Sequence, residues 1–261
     1  MALTEHSIPL LEYDDDPAGI LVPNREEGYA FPRRAVLFFG WEPVERLVEE
    51  QAARGCCREI GRFETITKTA RVYALDWGGQ ELALCAAPLG SAGAVEMLDF
   101  FIGCGCTAIV AGGSCGALDH LPEGAFLLPT HALRDEGASY HYLPPARWAE
   151  TDASVRAALR RACAEKGFAA ADCRTWTTDG FFRETAAKAA RRRAEGCAVV
   201  EMECAGLAAC AAFRGVRFGQ LLYTADTLAA ALAGGAHDAR TWGNEAAPLA
   251  LALCLDAAAW L

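Results

Sequence analysis

The stretch Val199–Gly206, VVEMECAG, decides how this chain is read. Val199 and Val200 end an apolar strand, and the small residues from Cys204 to Arg214, CAGLAACAAFR, read as a helix followed by Gly215. Glu201 and Glu203 lie at the junction. Two apart on an extended strand end, they point to the same side, while Met202 points elsewhere. Like charges on one buried face repel and lose hydration unless something rich in hydrogen-bond donors satisfies them. A sugar diol is such a ligand, and basic neighbours at a strand end do the same work. The eight residues alone leave both readings open.

Working outward, Val216–Thr224 is an apolar run that delivers Asp226 into a loop, and the ends of strands in parallel α/β sheets are where ligands sit. Upstream, Ala35–Phe39 and Pro43–Ala53 read as a strand and a helix, and Arg71–Asp76 and Glu81–Ala86 flank Gly78-Gly79 as a hairpin. Ser91 is a good N-cap for a helix to Ile102, and Cys106–Ala111 is a buried strand entering a turn at Gly112–Gly116. Ala125–Leu128 is a further strand. After a long loop, Asp152 caps a helix ended by Gly167, Ala171–Thr177 is a strand, Glu184–Glu195 a helix, and Asn244–Ala259 the last helix. Hairpins mixed with crossover helices predict an α/β fold with a mixed central β-sheet flanked by helices on both faces.

With 261 residues, 53% of them hydrophobic, and neither a linker nor a repeat, the chain reads as a single domain. Its core is expected over about 35–260, with 1–34 as an N-terminal extension. A net charge of −10 disfavours nucleic acid as a partner, because phosphate backbones reward basic patches. Arg191, Arg192 and Arg193 are read as a solvated helix face. Twelve cysteines scattered through strands and helices, with no export signal, fit a reduced cytoplasm, where packing is their main use. No apolar run is long enough to span a bilayer.

VEME, followed two elements later by a strand ending in Asp, resembles the nucleoside phosphorylase superfamily, in the branch of purine nucleoside phosphorylases, uridine phosphorylases and methylthioadenosine nucleosidases. Ala108–Ala146 is similar to that family's glycine-rich turn and the segment after it, and the similarity keeps its order from about Ala35 to Thr227. The resemblance implies the same α/β architecture, a homo-oligomer (trimer, hexamer or dimer) with shared sites, and a small nucleoside as substrate. It implies that Glu203 accepts from the ribose hydroxyls with Glu201 supporting, that Met202 packs on the sugar, and that Asp226 protonates a purine base. Turn capping is the competing use of Asp226. Phe181 aligns with an aromatic that stacks near base and sugar, against an ordinary core role. His6 matches the position from which a neighbouring subunit's histidine reaches the ribose 5′ hydroxyl, although a lone His is usually incidental. Arg240 could pair with Asp226.

The resemblance implies no cofactor and makes inorganic phosphate a possible co-substrate, held partly by Ser114. Here the chain departs from the pattern. Ala111 stands where an Arg is expected, and Phe39–Arg46, FGWEPVER, lacks an Arg in register. Each lost guanidinium removes a bidentate contact to a dianion. Lys68, Arg71 or Arg62, in the segment from which a neighbouring subunit lends its Arg in the family, could compensate. Phosphorolysis of a purine nucleoside to free base and ribose 1-phosphate, the default that the resemblance implies, is the leading expectation. Hydrolysis stands beside it, with Glu42 or Glu45 near the water or merely facing solvent, and a nucleoside-binding protein without turnover is the third reading.

Overall fold

A computed structural model describes residues 5–261. Strand β1 (Arg34–Phe38) is the short apolar run the sequence shows, and its alternate side chains enter two different cores. Leu37 faces helices α2 (Ser91–Gly103) and α5 (Cys204–Arg214), among Met97, Leu98, Phe101 and Leu207. Val36 and Phe38 face α1 (Trp41–Ala53), α3 (Ala153–Glu165) and α7 (Ala247–Ala259), among Val44, Leu159, Leu251 and Leu255. The sheet thus has helices on both faces.

The remaining strands are β2 (Cys57–Glu64), β3 (Thr69–Trp77), β4 (Gln80–Ala86), β5 (Ala108–Ala117), β6 (Phe126–Asp135), β7 (Trp148–Glu150), β8 (Ala170–Thr178), β9 (Cys197–Glu201) and β10 (Arg217–Thr227). Helices α4 (Ala186–Ala194) and α6 (Ala229–Leu232) complete the set among the described residues. The sheet runs in the order β10, β6, β8, β9, β5, β1, β4, β3, β2, with β7 on β6. It is mixed: β1 is parallel to β4 and β5, whereas β2, β3 and β4 form antiparallel hairpins. Gly78 and Gly79, with φ of 62° and 79°, form the tight turn of the β3–β4 hairpin.

β5 also pairs with β10 along its whole length, from Arg217 opposite Ala108 to Thr227 opposite Ala117. Since β10 joins β6, β6 joins β8, β8 joins β9 and β9 returns to β5, five strands close into a ring. One end of this ring gathers the C-terminal ends of β5, β8, β9 and β10.

Several local expectations change. Gly112–Gly116 is not a turn: β5 continues through it, because β1, β10 and β9 all bond to these residues. The glycines answer a packing need. A Cβ on Gly112 would stand 2.6 Å from Cys254 Sγ and 2.8 Å from two atoms of the Phe38 ring, and one on Gly113 would stand 3.0 Å from Phe39 Cβ. Asp226 is not in a loop either, since β10 runs to Thr227 with a bulge between Thr224 and Asp226. β2 is an additional strand, and β6 extends far past Leu128. Ser91 is the first residue of α2 and not its cap; Gly90, at φ 88°, holds the cap position. Asp152 does cap α3, accepting from the amides of Ser154 and Val155.

Of the three arginines, Arg192 turns inward to Asp135 at 3.2 Å and lies over Trp176, while Arg191 and Arg193 pair with Glu195 and Asp119 near the surface. All twelve cysteines are free, ten of them buried. Among the described residues no helix is long and apolar enough to cross a membrane.

Gly112→Ala is expected to destabilise the protein by about 1–3 kcal/mol through overpacking. Gly137→Ala, where the nearest atom to a new Cβ is 3.8 Å away and the backbone is already helical, should be close to neutral. Calorimetric melting of the two variants beside the wild type checks the contrast.

Candidate functional site

Glu201 ends β9, and its carboxylate organises the junction. Oε1 accepts from the hydroxyls of Thr175 (3.1 Å) and Thr177 (2.5 Å) on β8; Oε2 accepts from the amides of Glu203 (2.7 Å) and Cys204 (2.6 Å) at the start of α5. The Thr177 hydroxyl also accepts from the Ala205 amide. Three amides at the N-terminus of α5 are thereby satisfied, at the positive end of the helix dipole. Burial pushes the Glu201 acid group up in pH and its four donors pull it back. Its partners are hydroxyls and amides, with no basic side chain among them.

With Glu201 held this way, the chain turns and Glu203 occupies the cap position of α5. Its Oε1 accepts from the Gly90 amide at 2.7 Å and Oε2 from the Met202 amide at 3.3 Å. Ser91 donates its hydroxyl to the Met202 carbonyl at 2.7 Å, so the start of α2 is bolted to the same turn. Burial first, and then the Glu201 charge, push the Glu203 carboxyl well above the ordinary carboxylate range. Each oxygen retains capacity to accept from a ligand.

Met202 and both glutamates line a cavity of about 150 Å³ at the end of the strand ring where β5, β9 and β10 terminate. Ser114, Cys115 and Gly116 of β5 and Asp226 of β10 form another side of it, and Phe181 and Trp242 stand at its edge, each about half exposed. Clefts of about 390 and 440 Å³ lie elsewhere, beside Glu123 and along Ile20–Glu27, but neither gathers these side chains. Asp226 is 7% exposed, and the bulge before it re-aims its side chain into the cavity. Its Oδ2 lies 2.7 Å from His237 Nε2.

The structure therefore places Glu201, Met202, Glu203, Ser114, Phe181 and Asp226 around one cavity. His6 is not among the lining residues; it is exposed, its backbone amide donates to Glu12, and its ring accepts from the Ile8 amide. Arg240 does not pair with Asp226 but donates to the Leu121 carbonyl at 2.8 Å. His237 takes that place, because the loop folds back through an antiparallel bridge between Thr227 and Asp238. Glu123 holds the same loop from below, accepting from the amides of Thr241 and Gly243.

Two further residues, Glu184 and Trp242, enter the lining without a motif to announce them. Glu184 stands three residues after Phe181 in the same short turn, so that aromatic was the nearest signal for it. His237 lies eleven residues after Asp226. Arg62, Lys68 and Arg71 do not line the cavity of their own chain. Arg62 and Arg71 flank Glu59 at 2.7 and 3.9 Å, and Lys68 lies 3.8 Å from the centroid of the Trp41 ring. Glu42 pairs with Arg46 on the exposed face of α1, and neither Glu42 nor Glu45 lines the cavity.

A family model described as the phosphorylase superfamily matches residues 35–259. Among solved structures, the chain is similar to a purine nucleoside phosphorylase from Toxoplasma gondii in complex with immucillin-H (19% identity, TM-score 0.75, covering 88% of this chain and 91% of that one). It is also similar to a uridine phosphorylase from Vibrio fischeri (18%, TM-score 0.74, 92% and 95%) and to an AMP nucleosidase from Bacteroides thetaiotaomicron (21%, TM-score 0.67, 90% and 94%). The curated proteins offered no significant match. The fold carries over at these identities and the substrate does not. By the span of the family match and by its architecture, the chain belongs to the phosphorylase superfamily.

Proposed function

We propose that this protein cleaves the N-glycosidic bond of a purine nucleoside and that water is the acceptor, releasing free base and ribose. The observation that carries the reading is the titratable carboxylate lining of the cavity, Glu184, Glu201, Glu203 and Asp226, with no Lys, Arg or His among its described lining residues. Carboxylates suit a ribosyl group with oxocarbenium character and repel a phosphate dianion. Family membership supports action on a nucleoside, and the purine nucleoside phosphorylase and AMP nucleosidase among the similar structures support a purine.

In this reading Glu203 accepts from the ribose hydroxyls, Met202 packs on the sugar and Phe181 covers the ring. As the bond between C1′ and the base nitrogen breaks, its electron pair passes to the base. A proton from the Asp226–His237 pair neutralises the leaving group. Water then adds to C1′ and gives up a proton to a lining carboxylate. His237 acts as a positioning residue that holds Asp226 by its Nε2. Phosphorolysis to ribose 1-phosphate is the second reading, favoured by the exposed hydroxyl of Ser114 on β5; it requires a cation from a neighbouring copy of the chain. Exposed Ile20, Leu21 and Ile66 support such an oligomer, and twelve unpaired thiols support a reducing cytoplasm.

Incubating the purified protein with a nucleoside panel, with and without phosphate, separates the readings. Base release independent of phosphate, with free ribose as the second product, is expected; ribose 1-phosphate that appears only with phosphate overturns hydrolysis. No release from any nucleoside rejects both. Asp226→Asn should lower kcat by about 10²–10⁴ through loss of the general acid.

Glu203→Gln should abolish sugar recognition while stabilising the fold. The Glu203 acid group is raised in the folded state, so folding favours its protonated form and wild-type stability falls as pH climbs above the unfolded carboxylate value of about 4.3. The amide does not titrate. The melting temperature of the variant should therefore exceed that of the wild type by a margin that widens between pH 5 and pH 8; a margin independent of pH would show that Glu203 carries no such cost.

A further inference from the structure

The loop after α6 brings Trp242 to the edge of the cavity, although its Gly/Ala-rich sequence specifies no path of its own. Its backbone is strained there. Among the described residues three non-glycine residues have left-handed φ, and two of them, Arg240 at 49° and Trp242 at 57°, stand on either side of Thr241. Cβ sterics disfavour that region for L-residues, so it persists only where surrounding contacts impose it.

Those contacts come from one side chain outside the cavity. Glu123 Oε1 accepts from the Thr241 amide at 2.9 Å, from the Thr241 hydroxyl and from the Gly243 amide at 3.3 Å. The hydroxyl first, and then the two amides, hold its carboxyl below the ordinary carboxylate range, so it accepts as an anion at neutral pH. Arg240 makes the contact reciprocal by donating to the Leu121 carbonyl. The mount of Glu123 is itself fixed to β10. Thr224, two residues before Asp226, donates its hydroxyl to the Pro122 carbonyl at 2.5 Å, and that hydroxyl accepts from the Ala125 amide at 3.0 Å. The Thr224 carbonyl accepts from the Gly124 amide at 2.8 Å. Gly243, at φ 68°, completes the fit, since a Cβ there would stand 2.7 Å from the Tyr223 ring of β10.

We propose that Glu123 is a positioning residue that holds Trp242 at the cavity's edge, where the indole gives the base an apolar wall. The inference rests on the reading of the cavity as a nucleoside site. Glu123 is exposed and lines a separate cleft, so it acts only through the loop. Without it, Arg240 and Trp242 relax to ordinary φ and the indole is re-aimed. His237 has a second tether in the bridge between Thr227 and Asp238, so the loss falls on Trp242, and therefore on binding more than on bond cleavage.

Limited trypsin digestion followed by mass spectrometry reads the loop without reference to activity. Cleavage after Arg240 should be faster in Glu123→Ala than in the wild type and should return to the wild-type rate in Glu123→Gln, whose amide oxygen accepts from the same three donors. On a purine nucleoside that the wild type cleaves, Glu123→Ala should raise KM by about five- to tenfold with kcat little changed, while Glu123→Gln should not. In a Trp242→Ala background, Glu123→Ala should add nothing further to KM. Equal cleavage after Arg240 in all three proteins, faster cleavage with an unchanged KM, or a rise in KM that adds in full to that of Trp242→Ala overturns the inference and leaves nucleoside cleavage intact. If the wild type cleaves no nucleoside, the proposed activity fails first, and calorimetric titration with adenine decides the role of Glu123. Weaker binding in Glu123→Ala, restored in Glu123→Gln, upholds it. Equal binding, or none, removes it.

Discussion

The buried carboxylate of Glu201 is the constraint on which the rest of the site depends. It receives two hydroxyls from β8 and two amides from the start of α5, so strand, neighbouring strand and helix meet at one side chain. A carboxylate in this position without donors would cost several kcal/mol. With them it becomes the fastener that turns the chain by a fixed angle between β9 and α5. That turn aims Glu203 at the cavity, and the Gly90 amide and the Ser91 hydroxyl lock it from the side of α2. Close approach of the two helices is permitted by Gly206, where a Cβ would stand 2.9 Å from Val95.

The opposite wall depends on closure of the strand ring. β5 has three neighbouring strands because its glycines and small residues let β1, β9, β10 and α7 crowd against it. β10 then lies beside β5 to its last residue, and a bulge one step before Asp226 redirects that side chain. A Cβ at Gly116 would stand 3.1 Å from Asp226 Oδ1, so the smallness of β5 also makes room for the acid. Glu203 caps the start of α5 and Asp226 lies near the end of β10, the strand that follows, so the helix carries the chain away and β10 returns it to the same end of the ring.

Much of this was legible in the chain. The strand-helix junction at VEME, the helix Cys204–Arg214, the hairpin at Gly78-Gly79 and the Asp152 cap follow from local chemistry, and local chemistry is what a sequence displays. What eluded it was set by distant partners. Gly112–Gly116 reads as a turn because glycine has no strand preference of its own; three neighbouring strands and the approach of Cys254 impose the extended form. The pairing of Asp226 with His237, in place of Arg240, depends on how a Gly/Ala-rich loop folds back, and composition does not fix that path. Glu184 carries no motif, and its significance lies wholly in the cavity it faces.

Gathering carboxylates in one partly buried cavity works against stability, since each raises the cost of ionising the next. The fold offsets part of that cost with amides and hydroxyls, which donate without bringing a counter-charge. Had arginines been used, the cavity would hold neutral pairs and offer little field to a ligand. Satisfying carboxylates with dipoles instead leaves their remaining acceptor capacity directed into the cavity. Asp226 is held differently, by the ring nitrogen of His237 at 2.7 Å, so its orientation depends on the path of the loop after β10.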